Sequence, residues 1–254
     1  MKAQPVRAYV LCGTPRSGST LLCGLLRASG VAGAPDSFFR TQSRDEWTDE
    51  WRLPRGILDK GVEGARRFLE AARVEGTAGT GVFGLRLMSE NLADAMTCIA
   101  AVHPGLDSDR ARFDAAFGPT AYVYLSRDDM LAQAISRVRA EQSGLWHAAP
   151  DGTEIERTRP PRAPRYDRAA IATRLTELAR HDRDWQDWFT AEGITPLRLR
   201  YEAIAEDPRA AVAAILTHIG QDPAHAAGLN PGTRRLADQT SADWAARFRA
   251  ETGG

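Results

Sequence analysis

The apolar run Ala8-Tyr9-Val10-Leu11-Cys12 passes directly into Gly13-Thr14-Pro15-Arg16-Ser17-Gly18-Ser19-Thr20, and Leu21, Leu22, Leu25 and Leu26 follow at helical spacing. A short β-leaning strand, a glycine-bearing turn and an amphipathic helix in that order leave few folds open. In such a turn successive backbone N–H groups and the positive end of the helix cradle tetrahedral oxyanions. The spacing is that of a phosphate-binding loop, with Ser19 where nucleoside triphosphatases carry lysine. That lysine reaches the outer phosphates beside Mg²⁺, so its absence argues against ATP hydrolysis. Arg16 sits inside the loop instead, and its planar fork suits two oxygens of one anion. The plain alternative is a turn that merely connects strand to helix.

Three further apolar segments, residues 81–88, 121–125 and 195–200, read as strands. Helices are predicted over 91–102, 129–142, 168–192 and 209–220, where Trp185, Trp188 and Phe189 recur at helical spacing as core packing. Strands that alternate with helices imply a parallel sheet covered on both faces. The 254 residues suit one domain, 1–254, of α/β class. Two stretches break the rhythm. Residues 35–55 hold Phe38, Phe39, Trp47 and Trp51 among charges and read as a structured loop, whose aromatic rings suit sugar stacking or a local core. Segment 144–168, with Pro150, Pro160, Pro161 and Pro164, reads as a surface excursion or as a lid or acceptor wall.

Lys+Arg and Asp+Glu stand at 33 each, so no global field points to nucleic acid or to an anionic membrane. Cys12, Cys23 and Cys98 show no metal-ligand spacing and read as small buried hydrophobes of a reducing compartment. The run Ala8–Cys12 is too short for a signal peptide or a membrane span, so the expected location is the cytoplasm.

A second element strengthens the first. In Leu125-Ser126-Arg127-Asp128-Asp129 an arginine stands at the end of a buried strand, and Ser136 lies on the helix that follows. Together they suit a second phosphate at the carboxyl edge of the sheet, although an arginine beside two aspartates is by itself usually a surface ion pair.

TPRSGSTLL followed by LSRDDMLAQAISRVRAEQSGLW resembles the bacterial sulfotransferase family typified by trehalose 2-sulfotransferase. The likeness extends through GVAGAPDSFF, GLRLM and RRLADQTSADW. It implies a P-loop-like three-layer sandwich, with a central parallel sheet flanked by helices, that binds 3′-phosphoadenosine 5′-phosphosulfate (PAPS). Arg16, Ser17, Gly18, Ser19 and Thr20 would hold the 5′-phosphosulfate. Arg127 and Ser136 would hold the 3′-phosphate, and Arg235 would help close over the nucleotide. The implied acceptor is a carbohydrate or glycolipid hydroxyl, the implied assembly a homodimer, and no metal is called for.

Sulfuryl transfer needs the acceptor placed, the leaving charge neutralised and the hydroxyl proton taken. Arg16 suits the second task and Arg86 assists, where similar proteins carry lysine. The family's base is a glutamate in a Pro-x-Glu-aromatic-Phe pattern, but Pro35-Asp36-Ser37-Phe38-Phe39 has serine there. Asp36, one position earlier, is one candidate base. Glu90, just past the GLRLM strand, is another, though after Ser89 it equally reads as a first-turn acid at a helix start. His103 and His147 have no assigned place. The competing readings are a module that binds PAPS or its product PAP without catalysis, on the strength of Ser37, and a small-molecule kinase, disfavoured by Ser19.

Overall fold

The computed structural model describes residues 5–233 and 236–253. In chain order the elements are β1 (Ala8–Gly13), α1 (Ser19–Ala28), α2 (Arg44–Glu50), α3 (Gly61–Thr77), β2 (Phe83–Met88), α4 (Leu92–Val102), α5 (Asp109–Phe117), β3 (Thr120–Ser126), α6 (Met130–Ser143), β4 (Leu145–Ala148), β5 (Glu154–Arg157), α7 (Arg168–Ala191), β6 (Leu197–Arg200), α8 (Tyr201–Glu206), α9 (Pro208–His218) and α10 (Gln239–Thr252).

Four strands form one parallel sheet in the order β2-β1-β3-β6. Side chains alternate across a strand, so a central strand covered on both faces is apolar throughout. Every residue of β1 is accordingly buried. Ala8, Val10 and Cys12 join Phe83, Leu85, Leu87, Phe68, Phe113 and Trp185 in one core layer. Tyr9 and Leu11 join Leu22, Leu25 and Leu26 of α1 and Val212 and Ile215 of α9 in the other. The result is a three-layer α/β sandwich. A third cluster packs Ile135 of α6, Leu178 of α7, and Trp244 and Phe248 of α10, so Trp244 anchors the carboxyl-terminal helix.

All four predicted strands form, and the four predicted helices appear within two residues of their expected ends. Among the described residues five helices were not foreseen. α3 contains Gly61, Gly64 and Gly76, which propensity disfavours, yet burial of Ala65, Phe68, Leu69 and Ala72 overrides it. α5 lacks apolar periodicity but is capped by the Ser108 hydroxyl, which accepts from Ala111 N at 3.1 Å, and it buries Phe113 and Phe117. Part of 35–55 is helical as α2, and α8 and α10 complete the set. Phe38 and Phe39 are buried there and pack with Trp47, Trp51 and Phe68 as a local core.

Within 144–168, β4 and β5 pair as an antiparallel hairpin with His147 opposite Glu156. Tyr201 opens α8, directly after β6. The three cysteines are buried and unpaired, and burial pushes the Cys23 and Cys98 thiols up to about 12. Among the described residues no helix is long and apolar enough to cross a membrane.

Candidate active site

The loop after β1 is held from three directions. The Trp185 indole N–H donates to the Gly13 carbonyl at 2.9 Å. Gln133 of α6 donates to the Thr14 hydroxyl at 2.8 Å and to the Pro15 carbonyl at 2.7 Å. Gly18 has φ +85, a conformation that favours glycine, and a Cβ there would meet the Tyr201 ring at 3.1 Å, tight enough that the ring would have to give.

That fixed loop leaves polar groups without partners. The Ser17 hydroxyl is fully buried and, among the described residues, has no hydrogen-bond partner. α1 starts without a side-chain cap, and its first turn carries no acidic residue. Orphaned donors at a helix start are an anion site in waiting, and a buried unpaired hydroxyl costs about 1–3 kcal/mol until something fills it. The chain therefore fits a tetrahedral oxyanion here.

Two arginines stand over the loop. Arg16, in the left-handed region at φ +68, donates through Nε to Ser136 at 3.0 Å and through a terminal nitrogen to the Trp146 carbonyl at 2.6 Å. Burial, then the nearby Arg127 charge, lowers its pKa to about 10, which leaves it cationic at neutral pH. Arg127 is buried, donates to the Arg16 carbonyl at 3.3 Å and lies 4.2 Å over the Tyr201 ring. This stacking role for Tyr201 was not legible in the sequence.

A second knot gathers at the end of β2. Arg86 is in register with Leu11, so its side chain shares the face of the sheet that α1 covers. Its fork donates to the Ser37 hydroxyl at 2.7 Å, the Thr20 hydroxyl at 2.8 Å and the Asp36 carboxylate at 3.1 Å. The same Asp36 oxygen accepts the Ser37 amide at 2.7 Å. Thr20 also meets His147 Nε2 at 3.0 Å, and Glu156 lies 3.5 Å from that nitrogen. Burial first, then the charges of Arg16, Arg86 and Arg40, depress the His147 pKa to about 3, so the imidazole is neutral. A cleft of about 590 Å³ opens beside this knot, lined among others by Thr20, Ser37, Trp47, Arg86, Ile155 and Glu156.

Arg16, Ser17, Gly18, Ser19, Thr20, Arg127 and Ser136 thus meet at the carboxyl ends of β1 and β3, with Asp36, Ser37 and Arg86 alongside. Glu90 does not join them. It lies exposed in the turn Ser89–Asn91, where its charge acts on His181 of α7, and it is not a lining residue of the cleft. Arg235 lies outside the described residues. Sequence reasoning missed Gln133, Arg40 and Glu156, and left His147 unplaced. Pro150-Asp151-Gly152 is a turn signal that would have paired His147 with Glu156 across a hairpin.

The Stf0 sulphotransferase family matches this chain over residues 8–251. The chain is 33% identical over 269 residues to trehalose 2-sulfotransferase of Mycobacterium tuberculosis (strain ATCC 35801 / TMC 107 / Erdman), covering 98% of this chain and 97% of that protein. It is 30% identical over 271 residues to trehalose 2-sulfotransferase of Mycolicibacterium smegmatis (strain ATCC 700084 / mc(2)155), covering 96% and 95%. The sulfotransferase domain from the Synechococcus PCC 7002 olefin synthase aligns over 98% of this chain and 90% of that one, at TM-score 0.42 and 16% identity.

Proposed function

The chain belongs to the Stf0 sulphotransferase family, and from that premise we propose that it moves the sulfuryl group of PAPS to a hydroxyl of a carbohydrate or glycolipid-like acceptor, without a metal. The observation that carries the reading is the Ser17 hydroxyl, buried and, among the described residues, unpaired at an uncapped helix start, next to Arg16, whose carbonyl accepts from Arg127. A phosphosulfate oxygen would satisfy it. Both relatives are named for trehalose, so trehalose is the first acceptor to test.

In this reading Ser17, Gly18, Ser19 and Thr20 hold the 5′ end of the donor. Arg127 and Ser136 hold its 3′-phosphate, and Arg235 closes over it. The donor supplies, when bound, a sulfuryl group on a phosphate leaving oxygen. Arg16 offsets charge as it grows on that oxygen, an interaction stronger in the transition state than before it. Arg86 fixes the Thr20 and Ser37 hydroxyls, so neither turns away from the cleft. We read the chain as one domain that works in the cytoplasm as a homodimer, with segment 144–168 forming a wall of the acceptor cleft.

One observation favours a second reading. The Ser37 hydroxyl accepts from Arg86 where the family pattern has a carboxylate, as in a module that binds PAP without turnover. Calorimetric titration with PAP, in the presence of a chelator, should show binding; a strict Mg²⁺ requirement, or tighter binding of Mg-ATP, would overturn the site assignment. Release of PAP from PAPS, with trehalose and a panel of sugars, then separates enzyme from binding module.

A further inference from the structure

Among the described residues three carboxylates line the cleft: Asp36, Glu46 and Glu156. Asp36 has one oxygen committed to two donors, the Ser37 amide and Arg86. Glu46 lies exposed in the first turn of α2. Glu156 differs from both. It lies across the hairpin from His147, and the nitrogen that meets it at 3.5 Å also meets the Thr20 hydroxyl at 3.0 Å. Its other neighbour, Arg40, stands at 3.6 Å. Both distances exceed a hydrogen bond, so the carboxylate keeps its lone pairs open to a third partner.

We infer that Glu156, carried beside His147 to the phosphate loop by the β4–β5 hairpin, takes the proton of the acceptor hydroxyl in place of the carboxylate that Ser37 lacks. The inference rests on the sulfuryl-transfer reading. As the acceptor oxygen bonds to sulfur, its proton passes to a Glu156 oxygen. The electron pair of the broken S–O bond leaves on the 5′-phosphate oxygen of PAP, and the proton returns to solvent after product release. Groups of both signs face Glu156: Arg40 before α2, His147 on β4 and Arg16 on the loop, with Arg27, Arg86 and Glu46 in the same cleft. Because His147 stays neutral, no imidazolium competes for the carboxylate at working pH.

The test compares the parent, Glu156→Gln and Asp36→Asn by calorimetry with PAP and by PAP release from PAPS, with trehalose or water as acceptor, across pH. In Glu156→Gln, PAP affinity should stay within about twofold, because the change is isosteric and half-exposed, while kcat falls about 10²–10⁴-fold. Its acid limb should vanish, whereas Asp36→Asn should keep one. Parent-like turnover in Glu156→Gln, or loss of the limb in Asp36→Asn alone, overturns the assignment. So does a parent that binds PAP but releases none from PAPS with either acceptor, since the carboxylate is then in place without catalysis. A parent that does not bind PAP defeats the sulfotransferase reading itself, and this assignment with it.

Discussion

Arg127 retains 8% of its surface, held between the Arg16 carbonyl and the face of the Tyr201 ring. A guanidinium placed so deeply at a strand end, bonded to the Arg16 carbonyl, suits an anion that arrives with the nucleotide. Arg127→Ala should therefore weaken PAP by about 1.5–3 kcal/mol more than it weakens adenosine 5′-phosphosulfate, which lacks the 3′-phosphate. Calorimetry with both ligands reads the difference, and equal losses would remove Arg127 from that phosphate. Arg16 should behave otherwise. The charge it meets grows only in the transition state, so Arg16→Ala should cut kcat more than it weakens PAP. Unchanged turnover at saturating PAPS would take Arg16 out of the chemistry.

The β4–β5 hairpin is the element on which the proposed base depends. It is pinned at its root, where Arg157, clasped by Glu154, donates to the Ser143 carbonyl at 2.6 Å and Thr158 N donates to the Gly144 carbonyl at 2.9 Å. Gly144 has φ +74, and a Cβ there would come within 2.8 Å of the Arg159 backbone. Gly144→Ala combines a left-handed alanine with a backbone clash and should cost about 1–3 kcal/mol. For a chain of this size that lowers Tm by at least about 2 °C, read in a thermal scan. An unchanged Tm would show that the hairpin root tolerates a side chain and does not fix β4 against β5.

One buried and one half-buried histidine, His181 and His147, give the whole molecule a pH dependence of known sign. Burial lowers the pKa of His181, and burial with nearby arginines lowers that of His147 to about 3. An unfolded histidine takes its proton near 6.5, whereas folded His147 does so only near 3. The unfolded state therefore binds more protons throughout that interval, and stability rises with pH across it. Its contribution is complete above about pH 6.5 and is lost progressively as pH falls toward 3. Tm should drop on acidification from pH 7 to pH 4, and less steeply in His147→Gln than in the parent. Identical slopes would mean that His147 titrates normally in the folded protein.

The strand, loop and helix around Gly13–Ser19, the strands that became β2, β3 and β6, and the two arginines of the site were legible because short apolar runs, glycine positions and helical spacing act over a few residues. The same local rules mark α3 as poor helix, because its three glycines outweigh its pattern until Phe68 and Leu69 find a core to enter. They do not reach the stacking of Arg127 on Tyr201, because nothing near either residue in sequence announces the other. They also leave both Asp36 and Glu90 as candidates, although the register of β2 turns Arg86 toward Asp36 while Glu90 lies exposed beside α7. Thr20 and His147 stand 127 positions apart in the chain. Which carboxylate reaches the loop is decided by how the hairpin packs on it, a long-range contact set by burial and hydrogen bonding that no local spacing encodes.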